Sequence, residues 1–193
     1  MTKPFKVDIL RTEIIAKFWS TLSKITLNYT RRDGRSEVLV REVNDHGAAA
    51  AVLAYDPARK TVLLVKQMRI AAYVVGYTGD MIEVCAGLLD GDDPQTCARR
   101  EAEEELGFRL HDLKHVSDTF VSPGALTERI SLFIGRYSPT DRIDDGGGVL
   151  HEGEDIEVIE MPLTEAYGMI ATGDIVDAKT IVLLQNAMLT YAA

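Results

Sequence analysis

Apolar residues fall into three patterns along the chain, and each predicts a different kind of element. From residue 7 to 43 they alternate loosely with polar ones, as in half-buried strands. Residues 7–18 and 23–30 read as two strands, Arg32-Asp33-Gly34 as a hairpin turn, and residues 36–43 as a third strand. An antiparallel N-terminal sheet is therefore expected, ending near Asn44-Asp45-His46-Gly47. A helix over residues 13–23 is the alternative, because Ile14, Ile15 and Phe18 also suit a 3.6-residue period. The second pattern is an unbroken small and apolar run over residues 47–55, the mark of a strand buried on both faces. A turn at Asp56-Pro57-Ala58-Arg59 leads into a partner strand at 61–69, and residues 81–86 read as a short strand feeding a glycine loop. Strands are also expected at 113–121, 129–137 and 157–161, and helices at 163–171 and 177–191.

The third pattern is helical and follows the glycine loop. Ala98, Ala102 and Leu106 stack into one apolar stripe at about 100° per residue. Asp93 suits the N-cap, Pro94 the first helical position, and Gly107 the left-handed residue that closes the helix. The expected class is α/β or α+β, a mixed sheet between helices with an N-terminal antiparallel sheet extension. Residues 1–44 form that extension and residues 45–193 the main domain. Residues 138–153, with Gly146-Gly147-Gly148, make a connection long enough to be either functional or disordered.

Composition narrows the function. An apolar fraction of 46% and a charged fraction of 26% over 193 residues suit a soluble domain with a full core. The net charge of −9 argues against a nucleic-acid partner, which needs a basic face. It also means that an anionic substrate needs local help from a metal or a few placed cations. Cys85 and Cys97 have no metal-site or disulfide-framework spacing, so they read as reduced core residues of a cytoplasmic protein. The N-terminus lacks a signal-peptide core, and no apolar run is long enough to span a bilayer, so no membrane association is expected. His46, His111, His115 and His151 form no ligand cluster and receive no role.

Beside the apolar stripe lies an acidic one, formed by Glu101, Glu104 and Glu105. Like charges so spaced repel, and Arg100, four residues before Glu104, offsets only part of that. Such a face is either a solvated acidic surface or an oxygen-ligand set for a hard divalent cation that keeps several waters. Glu101 and Glu105, 40° apart on a regular helix, are the first choice as ligands. Glu104 either bridges a metal or pairs with Arg100.

The full pattern, Gly87, Asp93 and Arg100-Glu101-Ala102-x-Glu104-Glu105-x-Gly107-Phe108, resembles the Nudix box. Two departures fall in the loop and first turn: Asp93 stands where the family usually has Glu, and six residues rather than seven precede the arginine. Further matches point to the GDP-mannose and ADP-ribose pyrophosphatase branch of that family. They are Lys66-Gln67-Met68-Arg69, Ser122-Pro123-Gly124…Glu128, Gly146-Gly147-Gly148, Glu154-Asp155-Ile156-Glu157 and Asp177-Ala178-Lys179-Thr180, with a two-residue insertion near Leu150-His151. The resemblance implies Mg²⁺-dependent (or Mn²⁺-dependent) hydrolysis of the pyrophosphate of a nucleoside diphosphate sugar. It implies metal ligation by the Ala86 carbonyl, just before Gly87, and by Glu101, Glu105 and Glu154, with Glu154 either a ligand or the general base. It also places Arg69, Glu128 and Lys179 at the substrate, Val40, Arg41 and Glu42 at the base, and Phe18 where an aromatic residue stands. The expected reaction is GDP-mannose and water to GMP and mannose 1-phosphate. The alternative is ADP-ribose cleavage, and a remoter one is a nucleotide sensor without turnover. A homodimer sharing its N-terminal sheets is implied as well.

Overall fold

The structure, a computed structural model, describes residues 4–149 and 153–191. It comprises two compact units, Met1–Ala48 with Phe120–Glu128, and Ala49–Thr119 with Arg129–Ala193. The first unit is an antiparallel sheet of β1 (Lys6–Lys17), β2 (Thr21–Thr30) and β3 (Ser36–Asp45), in that order. The helical alternative over 13–23 does not form, because Glu13 pairs with Lys24 and Lys17 with Thr21 in the β1–β2 ladder. The register slips between Ile14 and Ala16, a bulge that sets Ile14 and Ile15 side by side and disturbs the strand period. That local irregularity is why the segment also suited a helix. The segment 120–128 docks on the end of β3: Asn44 N donates to Ala125 O at 2.8 Å, and Thr127 Oγ1 donates to Asp45 Oδ1 at 2.7 Å.

The second unit is built on a seven-stranded mixed sheet. Its elements are β4 (Ala49–Asp56), β5 (Thr61–Gln67), the short helix α1 (Ile70–Tyr73), β6 (Met81–Glu83), β7 (Cys85–Leu88) and α2 (Pro94–Glu101). After these come β8 (His111–Phe120), β9 (Arg129–Arg136), β10 (Glu157–Pro162), α3 (Leu163–Thr172) and α4 (Ala178–Tyr191). The main order is β10-β5-β4-β9-β8, with β6 on β5 and β7 on β4. β4 runs parallel to β9 and is buried along its whole length, as its unbroken apolar run predicts. Alternate residues serve opposite faces. Ala50, Val52 and Ala54 pack with Cys97, Ala98, Ala102 and Leu106, while Tyr55 stacks on Tyr191 of α4 at 4.9 Å. Alanines on both β4 and α2 let the helix come close to the sheet.

The expected strand over 81–86 is two strands. β4 pairs with β5 only near their turn, at Ala54–Asp56, and its first half pairs with β7. β6 pairs with β5, so the chain crosses from one strand to the other at Val84. Val84 is buried, and its N–H donates to Thr180 Oγ1 at 2.8 Å, which replaces the missing ladder bond. Among the described residues, no helix is long and apolar enough to cross a membrane.

Candidate active site

The box helix begins as its sequence dictates. Asp93 accepts from the backbone N–H groups of Gln95 and Thr96 at 3.0 and 3.2 Å, and Pro94 takes the first turn. It does not stay α-helical to its end. After Glu101 the chain widens into a π turn over Ala102–Leu106, closed by Gly107 at φ 75°. The 100° step assumed for Glu101 and Glu105 therefore does not apply across this turn, a feature common at functional sites. Both side chains are nonetheless buried, Glu105 to 2% exposure and Glu101 to 7%. Glu101 lies against β7 because position 87 is glycine: a Cβ there would overlap its carboxylate.

Arg100 gathers this end of the site. Its guanidinium reaches Glu101 at 2.7 Å, Glu104 at 3.0 Å and Asp92 at 3.3 Å, and donates to Leu88 O at 3.1 Å. Glu104 is thus paired with Arg100. Glu105 has no such partner: Ala86 N–H donates to it at 3.2 Å, and no cation touches it among the described residues. Burial, then repulsion from Glu101 and Glu154, pushes its carboxyl up to about 8. Burial likewise raises Glu101 to about 7 against the opposing pull of Arg100. A buried carboxylate without a cation is costly, so these oxygens suit a hard divalent ion. Among the described residues no three His, Cys, Asp or Glu side chains form a ready-made cage. Glu101 leans to Arg100, and Glu154 Oε2 accepts from Val149 N at 2.7 Å. The donor set fits an ion that keeps much of its own water.

The glycine run joins Glu154 to the helix. Gly147 N donates to Glu105 O at 2.9 Å and Gly148 N to Glu104 O at 3.1 Å, using carbonyls that the end of the helix leaves free. Gly148 has φ 79°, and a Cβ there would stand 2.5 Å from Glu154 Oε2. The described part of the 138–153 connection is thus a strap across the π turn. Leu150 and His151 lie outside the described residues. His111 and His115 pair with Asp141 and Asp118 at the surface.

Arg69 and Lys179 meet on a residue that the sequence reading missed. Glu83, 3% exposed in its side chain, is 2.7 Å from Arg69 Nε and 2.6 Å from Lys179 Nζ. A lone acid in the apolar stretch 81–86 was the available signal. Arg69 also lies near enough to lower the pKa of Glu105. Ala86, Gly87, Glu101, Glu104, Glu105, Glu154, Arg69 and Lys179 all belong to the second unit. Phe18, Val40, Arg41, Glu42 and Glu128 belong to the first. There, Arg41 and Glu42 line a cavity of about 480 Å³ with Ile9, Ile25 and Pro123. Phe18 is 90% exposed, Val40 is also exposed, and Glu128 sits 3.9 Å from His46, which stacks on Trp19.

Comparison with known proteins agrees with this architecture. Residues 45–184 match the Nudix domain, and residues 6–43 match the N-terminal domain of the GDP-mannose pyrophosphatase NudK. The chain is 42% identical over 187 residues to the GDP-mannose pyrophosphatases of Escherichia coli O1:K1 and Shigella dysenteriae serotype 1, covering 96% of this chain and 97% of theirs. It is 43% identical over 180 residues to that of Escherichia coli strain SMS-3-5, covering 93% of each. A box helix with its carboxylates against a glycine loop, on a mixed sheet matched along its length, makes this chain a member of the Nudix hydrolase family.

Proposed function

We propose that the protein hydrolyses the pyrophosphate of a nucleoside diphosphate sugar, with GDP-mannose its best substrate, giving GMP and mannose 1-phosphate. The observation that carries the chemistry is the buried Glu105 carboxylate, beside Glu101 and Glu154 and touched by no cation among the described residues. Support for the substrate comes from the relatives named GDP-mannose pyrophosphatase, which match nearly the whole chain. Glu101, Glu105 and the Ala86 carbonyl would hold Mg²⁺, or Mn²⁺ in its place. When bound, the ion neutralises phosphate oxygens and lowers the pKa of a water.

The chain's own groups supply the rest. A water oxygen bonds to one phosphorus, the bond from that phosphorus to the bridging oxygen breaks, and the water's proton passes to a carboxylate, for which Glu154 is our choice. Arg69 keeps both Nη groups without a hydrogen-bond partner among the described residues, a fork matched to phosphate oxygens. Arg41 and Glu42 would meet the base. The apolar side chains exposed on the N-terminal sheet, among them Ile9, Ile14 and Val38, favour a homodimer. Two free buried cysteines favour the cytoplasm.

The test is product analysis with Mg²⁺ across a panel of nucleoside diphosphate sugars. GMP and mannose 1-phosphate at the highest kcat/KM are expected. ADP-ribose consumed about ten times faster would transfer the assignment to that substrate, with base mismatches on the scale of one unpaired polar group. Absence of turnover on every compound would leave a nucleotide sensor.

A further inference from the structure

Glu83 is neither in the Nudix box nor among the residues that the family resemblance assigns, yet it holds two cations that are far apart in sequence. Its Oε2 accepts from Arg69 Nε at 2.7 Å and its Oε1 from Lys179 Nζ at 2.6 Å. We infer that Glu83 is a positioning residue, which aims the guanidinium of Arg69 at the substrate diphosphate and is itself anchored by Lys179. The inference rests on the proposed role of Arg69.

The anchoring is a closed ring of contacts. Lys179 also reaches Asp177 Oδ1 at 3.1 Å. Asp177 Oδ2 accepts from Thr180 N at 3.0 Å and Thr180 Oγ1 at 2.6 Å, at the start of α4. Thr180 Oγ1 in turn receives the N–H of Val84, the residue after Glu83. Backbone and carboxylate at this point of the sheet are therefore tied to the same helix turn. Lys179 is only 9% exposed and is shared by two carboxylates. The geometry at Arg69 fits the same purpose. Binding through Nε fixes the plane of the guanidinium and leaves both Nη groups without a hydrogen-bond partner among the described residues. The side chain remains 41% exposed, unlike Glu83 and Lys179 behind it.

A double-mutant cycle on the full-length enzyme tests this. Glu83→Gln, Arg69→Ala and the double variant are compared in kcat and KM, with Mg²⁺ and the best substrate of the panel. Glu83→Gln should raise KM about tenfold and change kcat less, the scale of losing one hydrogen bond to a charged group. Combined with Arg69→Ala it should add no more than about twofold, because no guanidinium is left to aim. Effects that multiply would assign Glu83 a merely structural role and overturn the proposal, as would an unchanged KM in Glu83→Gln beside an impaired Arg69→Ala. If Arg69→Ala itself keeps the wild-type KM, the assignment of Arg69 to the diphosphate falls, and the role of Glu83 with it. Should Glu83→Gln not fold, Glu83→Asp carries the same cycle, since its shorter reach also misplaces the guanidinium.

Discussion

Replacing Glu105 by Gln should make the metal-free protein more stable and the enzyme far less active. The carboxyl titrates at about 8 in the folded protein, against an ordinary value of 4.5, because it is buried and repelled by Glu101 and Glu154. Between those two values the folded protein holds a proton that the unfolded chain has released, so stability falls as pH rises through that window. At pH 8 the penalty amounts to about 4 kcal/mol for a group so placed. Relaxation and water entry reduce it, and Gln should recover about 2 kcal/mol, or about 4–8 °C in Tm for a chain of this size. Gln can still accept the Ala86 N–H, so little else changes. Urea unfolding of both proteins in chelator at pH 5 and pH 8 measures this. The two should be alike at pH 5 and diverge at pH 8. Added Mg²⁺ should restore the wild type more than the variant, since a ligand of the folded state stabilises it. Turnover should meanwhile fall by at least about a hundredfold, as for one lost electrostatic stabiliser. A variant less stable than wild type at pH 8, or with the same pH slope, would refute the reasoning about burial. Near-normal turnover at saturating Mg²⁺ would refute the role of Glu105.

Two other outcomes are expected. Gly148→Ala places a methyl 2.5 Å from Glu154 Oε2 at a positive φ, so kcat should drop about tenfold for about 1 kcal/mol of stability; unchanged kcat would mean that the position of Glu154 is immaterial. Sedimentation at micromolar concentration should find a dimer, and Ile14→Glu, which places a charge on the exposed apolar face, should dissociate it; an active wild-type monomer would refute the assembly.

Local chemistry makes much of this protein legible in the sequence itself. The Asp93 cap, Pro94, the Gly107 closure and the Ala98-Ala102-Leu106 stripe each depend on residues within a turn or two, and all appear where the sequence put them. The same holds for the buried run of β4 and for the strand ladder around the Arg32-Asp33-Gly34 turn. Tertiary structure decided the rest, because its causes lie far apart along the chain. The break at Val84 depends on a hydroxyl at position 180, and the setting of Arg69 on a carboxylate at 83 held by a lysine at 179. The π turn ends under amides from Gly147 and Gly148, about forty residues on, which no helical period in the box can encode. Propensity and periodicity act over a few residues, whereas a buried charge takes whichever partner the packing brings to it. The glutamates of the box could be recognised from their spacing; how deeply Glu105 is buried, and so how strongly it resists ionisation, belongs to the fold.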